Sequence, residues 1–202
     1  QESSNIVSEN GRLKSPFSQF LEYIPIGFDH VVPDGLDHIL FVIGLFLLSL
    51  KLSTLLWQVT SFTLAHSVTL IAGTLGVMSV PASIVEPLIA ASIVFVAVEN
   101  IFFTKLNPWR TPIVFAFGLL HGLGFASVLA EFGLPAGQYI PALIGFNLGV
   151  EFGQLSVIAF AFVLLALPFG RLSYYRSRIS IPISCIIAIV GVFWVLERTV
   201  LA

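Results

Sequence analysis

Apolar residues gather in six long stretches of this chain, at 36–50, 53–77, 83–103, 111–131, 139–167 and 180–200, with short polar breaks between them. A helix needs roughly 20 largely apolar residues to cross the hydrocarbon of a bilayer. All but the first stretch reach that length, and the first is expected to begin upstream of residue 36. The pattern predicts an all-α fold, a polytopic membrane protein built as a bundle of about six transmembrane helices. The connections are brief and none is long enough to build a second core. The expected organisation is a polar external segment over 1–22 followed by a single six-helix domain over 23–202.

Composition agrees with a chain whose solvent is lipid: 57% of residues are hydrophobic, 10% are charged and the mean hydropathy is +1.00, far from an ordinary soluble domain. The chain opens on Gln1 rather than Met, and 1–18 is polar, so a cleaved signal peptide or an artificial start is expected before it, with the N-terminus external. Basic residues test that arrangement. Lys51, Lys105, Arg110, Arg171, Arg176 and Arg178 fall in the segments that six spans would leave on the cytoplasmic side, against Arg12, Lys14 and Arg198 outside. The hairpins around Pro81 and Pro135 carry no Lys or Arg. The positive-inside rule therefore predicts an inner-membrane protein with both termini external. The same rule accounts for the Arg171–Arg178 cluster without a nucleic-acid partner. Cys185 has no second Cys to pair with and reads as packing, and Met78 is the lone methionine, which argues against a dedicated Cu(I) path.

Polar side chains inside the spans change the picture. An ionisable group at the centre of a membrane helix costs roughly 2.5–3.5 kcal/mol on insertion scales. Here His66 lies near the middle of the second stretch, His121 near the middle of the fourth and Glu151 near the middle of the fifth. Asn147 and Gln154 flank Glu151 at four and three residues, on the same helix face. Each alone could simply bond a neighbouring helix. Two histidines and a carboxylate at similar depth call for more, because the carboxylate must be paired, protonated or bound to a cation.

A second group sits where the first stretch begins, in Asp29-His30-Val31-Val32-Pro33-Asp34-Gly35-Leu36-Asp37-His38. A helix from Asp34 puts Asp34 and His38 one turn apart with Asp37 beside both, and this suits metal capture at an external site distinct from the midplane one. Asp34 could equally serve as an N-cap. Glu86, Glu99 and Asn100 lie nearer the ends of the third stretch, as path residues or as solvated helix ends. Gly145, Gly149 and Gly153 recur at every fourth position, and Gly118, Gly122 and Gly124 surround His121, which predicts close helix approach. Phe-x-x-x-His occurs at Phe62–His66 and again at Phe117–His121.

Four segments carry a resemblance to the HupE/UreJ family of membrane proteins, associated with hydrogenase and urease and regarded as nickel or related metal permeases. They are Gly35-Leu36-Asp37-His38, Phe62-Thr63-Leu64-Ala65-His66-Ser67, Phe117-Gly118-Leu119-Leu120-His121-Gly122-Leu123-Gly124-Phe125-Ala126 and Phe146-Asn147-Leu148-Gly149-Val150-Glu151-Phe152-Gly153-Gln154-Leu155. The hydrogenase-linked members have a His-Pro pair where this chain has Val31-Val32, with His30 displaced by one residue, so the chain resembles the broader branch. The resemblance implies that Asp37, His38, His66, His121 and Glu151 take part in a metal path.

Chemistry and resemblance meet in one expectation, a permease that takes a divalent transition metal from the external side. Imidazole nitrogen and carboxylate oxygen suit Ni(II), Co(II) and Zn(II), whereas Mg and Ca prefer all-oxygen sites. The alternatives are an intramembrane metal-dependent hydrolase, although H-E-x-x-H is lacking, and a metal-binding assembly subunit of a larger membrane complex. A homo-oligomer or a partner subunit stays open. No phosphate-binding loop is present, so energy would come from a partner, an ion gradient or the membrane potential.

Overall fold

A computed structural model of the chain describes residues 15–132 and 139–200. Arg12, Lys14 and the hairpin around Pro135 lie outside the described residues. Those described form helices and turns with no strand. Ser15 caps α1 (Pro16–Val31), its hydroxyl accepting from the Ser18 amide, with Pro16 in the first turn. Then follow α2 (Leu36–Leu48), α3 (Leu52–Thr74), α4 (Ala82–Phe102), α5 (Arg110–Phe132) and α6 (Tyr139–Ala161). A π turn over Phe162–Ala166 carries α6 on into the short α7 (Leu167–Phe169), and a second, Arg176–Ser180, leads into α8 (Ile181–Val200).

Four rods are long and apolar enough to cross a membrane: α3, α4, α6 with its extension to Phe169, and α8 with its π turn from Arg176. The first apolar stretch is not one helix. It is the pair α1 and α2, bent by 73° at the break over residues 32–35, and counting that pair as one span gives five. Helix α5, 23 residues long, runs along α3 and completes a bundle of about six. Val32-Pro33-Asp34-Gly35 explains the break: Pro33 has no amide to donate and disfavours helix at Val32, and the chain restarts after Gly35.

Three helix pairs carry most of the packing, α1 with α6, α3 with α5 and α4 with α8. Glycine sets two of them. A side chain at Gly149 would strike the Ile24 carbonyl of α1, and one at Gly122 would strike the His66 carbonyl and Thr69 of α3. In lipid there is little hydrophobic drive between helices, so such backbone approach and the dispersion it permits hold the bundle. The outer faces are apolar, as with Trp57, Leu64, Ile140 and Val192, while His38, His66, His121, Asn147 and Gln154 are buried.

Candidate metal centre

All four histidines of the chain meet inside the bundle. His30 ends α1 and His38 opens α2, so the break between those helices delivers both. His66 comes from the middle of α3 and His121 from the middle of α5. Ring centroids lie 4.8 Å apart for His30 and His38, 5.9 Å for His38 and His66, and 5.0 Å for His38 and His121. One ring nitrogen from each of His30, His38 and His66 can be chosen so that all three lie within 4.8 Å of one another. The histidines expected at separate external and midplane sites therefore meet in one group, without Glu151. The break in the first span, invisible to a hydropathy pattern, brings His38 down beside His66.

Hydrogen bonds orient these rings. His38 Nδ1 donates to Asp37 Oδ1 at 3.1 Å, and the same oxygen accepts the His38 amide at 2.8 Å. His66 Nδ1 meets Asn147 Oδ1 at 3.2 Å, and Asn147 Nδ2 donates to the Leu143 carbonyl, which leaves its oxygen for the imidazole. His121 Nδ1 donates to the Phe117 carbonyl at 2.9 Å. With Nδ1 protonated, each Nε2 keeps its lone pair, the arrangement by which outer partners set the tautomer of metal-binding imidazoles. Nε2 of His30, His38, His66 and His121 is buried without a hydrogen-bond partner in every case. Buried polar atoms are normally satisfied, so four unmet ring nitrogens in one place stand out.

Aromatic rings wall the group: Phe62 stacks near His66 at 6.2 Å, Phe125 lies 3.8 Å from His30, and Phe125 stacks on Phe146 at 5.2 Å. A cavity of about 220 Å³ opens onto it, lined by His30, Asp37, His38 and His121 and, further out, by Glu86 and Arg198. Sequence reading missed Phe125, Phe146 and Arg198. The first two lay within the quoted motifs, while Arg198 gave no signal apart from its basic charge.

The other candidate residues divide. Asn147 touches the cluster directly. Gln154 Oε1 accepts from Thr63 Oγ1 at 3.0 Å, and Glu151 Oε1 accepts from Thr60 Oγ1 at 2.6 Å. His66, Thr63 and Thr60 thus pair with Asn147, Gln154 and Glu151 in a polar ladder between α3 and α6. Among the described residues the group of ligand-capable atoms comprises His30, His38 and His66, and Glu151 is not in it. Asp34 is exposed in the break, its amide bonded to the Asp29 carbonyl. Glu99 and Asn100 lie elsewhere. Glu99 Oε2 accepts from Arg110 at 2.5 Å, and Asn100 donates to the Gly44 carbonyl and to Ser184.

The family described as HupE / UreJ protein matches residues 6–198. No curated protein and no solved structure matches the chain. The match takes in α1 to α7, all but the last two residues of α8 and all four histidines, and the chain belongs to the HupE/UreJ family.

Proposed function

We propose that the protein is a membrane permease for a divalent transition-metal cation, with nickel the foremost candidate and cobalt or zinc the others. One observation carries the reading: the Nε2 atoms of four clustered imidazoles are buried without a hydrogen-bond partner, and three of those rings, His30, His38 and His121, line one cavity. Borderline nitrogen donors with a nearby carboxylate suit Ni(II), Co(II) and Zn(II). Nitrogen atoms sharing one metal at about 2.0–2.1 Å sit roughly 3–3.5 Å apart. The three imidazoles within 4.8 Å need only small movements to take up an ion. A site at the break between two half-helices is a recurring transporter device, because ends of helices there line a cavity.

The ion would come in along the cavity past Glu86 and Asp37 and pass to the imidazoles. It would leave along the ladder, where Asn147, Gln154, Thr63, Glu151 and Thr60 offer oxygen. His66 to Thr60 spans about 9 Å of helix toward the end of α3 that carries Lys51. The basic links between α2 and α3, α4 and α5, and α7 and α8 support a reading with that end in the cytoplasm and both termini outside. The membrane potential favours this inward movement by ~2.3 kcal/mol per charge per 100 mV.

The test is flux. Purified protein in liposomes loaded with a metal-sensitive dye should admit Ni(II) or Co(II) saturably. His38→Ala and His66→Ala should abolish admission without loss of the folded, monodisperse state. Equal flux in protein-free liposomes, or in the double variant, would defeat the permease reading.

A further inference from the structure

The outer cavity holds a charge that a cation path would be expected to avoid. Arg198, half-buried in the last turn of α8, lines the same cavity as His30, His38 and His121. Its Nη1 donates across to the Glu86 backbone carbonyl of α4 at 3.1 Å, and its guanidinium lies over the Trp194 ring at 5.3 Å. Two independent contacts therefore fix a permanently protonated group at the mouth. Favouring the negative end of the α8 dipole accounts for a cation in the last turn. It does not account for the side chain reaching over to α4 and facing the cavity.

Charge arithmetic supplies a reason. Asp37 and Glu86 are the carboxylates lining the cavity, and together with the imidazole lone pairs they would hold a divalent ion strongly in a low-dielectric setting. Conduction requires binding that is favourable enough to enter yet weak enough to leave. We infer that Arg198 is a built-in counter-cation that lowers the affinity of the Asp37–Glu86–imidazole cavity for a divalent ion and so sets how fast the ion moves on. The guanidinium touches no metal. It acts through the field it places on the cavity, and it rests on the permease reading above.

Co(II) serves as probe, its binding followed by absorption and its flux in liposomes, for the full chain in wild-type, Arg198→Gln, Arg198→Lys and Glu86→Gln forms. Arg198→Gln should bind Co(II) at least tenfold more tightly, about 1.4 kcal/mol, while its saturated flux falls at least fivefold. Arg198→Lys keeps the charge and should stay within twofold of wild type on both readings. Glu86→Gln should shift affinity the other way. Misfolding would weaken binding and slow flux together, so tighter binding with slower flux separates the field effect from structural damage. Unchanged or weaker binding in Arg198→Gln, or Arg198→Lys behaving like Arg198→Gln, would overturn the inference while wild-type binding stands. A wild-type protein that binds no Co(II) would instead remove the permease reading and this inference with it.

Discussion

Two regions of this bundle bury polar groups, and they are built on opposite plans. In the first, Glu99, Arg110, Asn100, Gly44 and Ser184 tie α2, α4, α5 and α8 together. The carboxylate is paired with a guanidinium, the guanidinium also reaches the Gly44 carbonyl, and the amide donates to a carbonyl and a hydroxyl. In the second, imidazoles from α2, α3 and α5 are held by one nitrogen and left unmet at the other, and His30 of α1 joins them with its Nε2 also unmet. Burial of polar groups in a membrane does not by itself mark function. In the first region, which acts as a fastener, most donors and acceptors bond across helices and the unmet atoms are Asn100 Oδ1 and Arg110 Nε, whereas in the second the unmet atoms are ring nitrogens of neighbouring imidazoles. Glu99 and Asn100, read from sequence as path residues or solvated helix ends, belong with the fasteners.

The sharpest way to break the comparison is to cut the fastener. Glu99→Gln leaves the Arg110 guanidinium buried without its counter-charge, and Arg110 is 2% exposed. Breaking a buried pair by removing one partner typically costs about 3–5 kcal/mol. Reversible unfolding in mixed micelles should show a loss of that order. Metal affinity of the fraction that remains folded should stay within threefold of wild type. If affinity fell while stability held, the network would be part of the path after all.

The converse change should strike binding and spare the fold. His66→Ala removes one unmet donor and releases Asn147, whose amide keeps its bond to Leu143. Titration with Ni(II) or Co(II) should show at least a hundredfold weaker binding, about 2.7 kcal/mol, with less than half of that lost from unfolding stability. His30→Ala should behave alike, because His30 belongs to the close group. Full affinity in His30→Ala would confine the site to α2, α3 and α5.

How much of this was legible beforehand follows from what hydropathy encodes. Apolar runs reveal helices, and charges inside them stand out, so α3 to α6, α8, His66 and His121 could be read directly. The quoted motifs covered Asp37, His38 and Asn147. The break between α1 and α2 was signalled by Val32-Pro33-Asp34-Gly35, but its 73° bend depends on packing against α6 and the rest of the bundle. Thus His30 was read only as a possible path residue displaced by one position, and His38 as part of a separate site. The glycines announced close approach without naming partners: those of α6 receive α1, and Gly118 and Gly122 of α5 receive α3. Asn147 and Glu151 share a face at one-turn spacing, yet only the first reaches an imidazole, a distinction set by where α3 places His66 and Thr60.

That last distinction yields the smallest and most discriminating effect. Asn147 holds His66 by its Nδ1, and loss of such an outer partner typically costs 10–100-fold in metal affinity. Asn147→Leu should fall in that range. Glu151, bonded to Thr60 at 2.6 Å and outside the imidazole group, should matter little to capture and more to departure. Glu151→Gln keeps the shape, removes the charge, and should change equilibrium affinity by less than threefold while slowing liposome flux severalfold at saturating metal. Metal binding needs unprotonated ligands, so affinity should fall with pH in wild type as protons compete for the imidazoles. That dependence should persist in Glu151→Gln if the imidazoles are the ligands. A flattened pH dependence together with a tenfold loss of affinity would instead put the carboxylate in the coordination sphere and merge the ladder with the site.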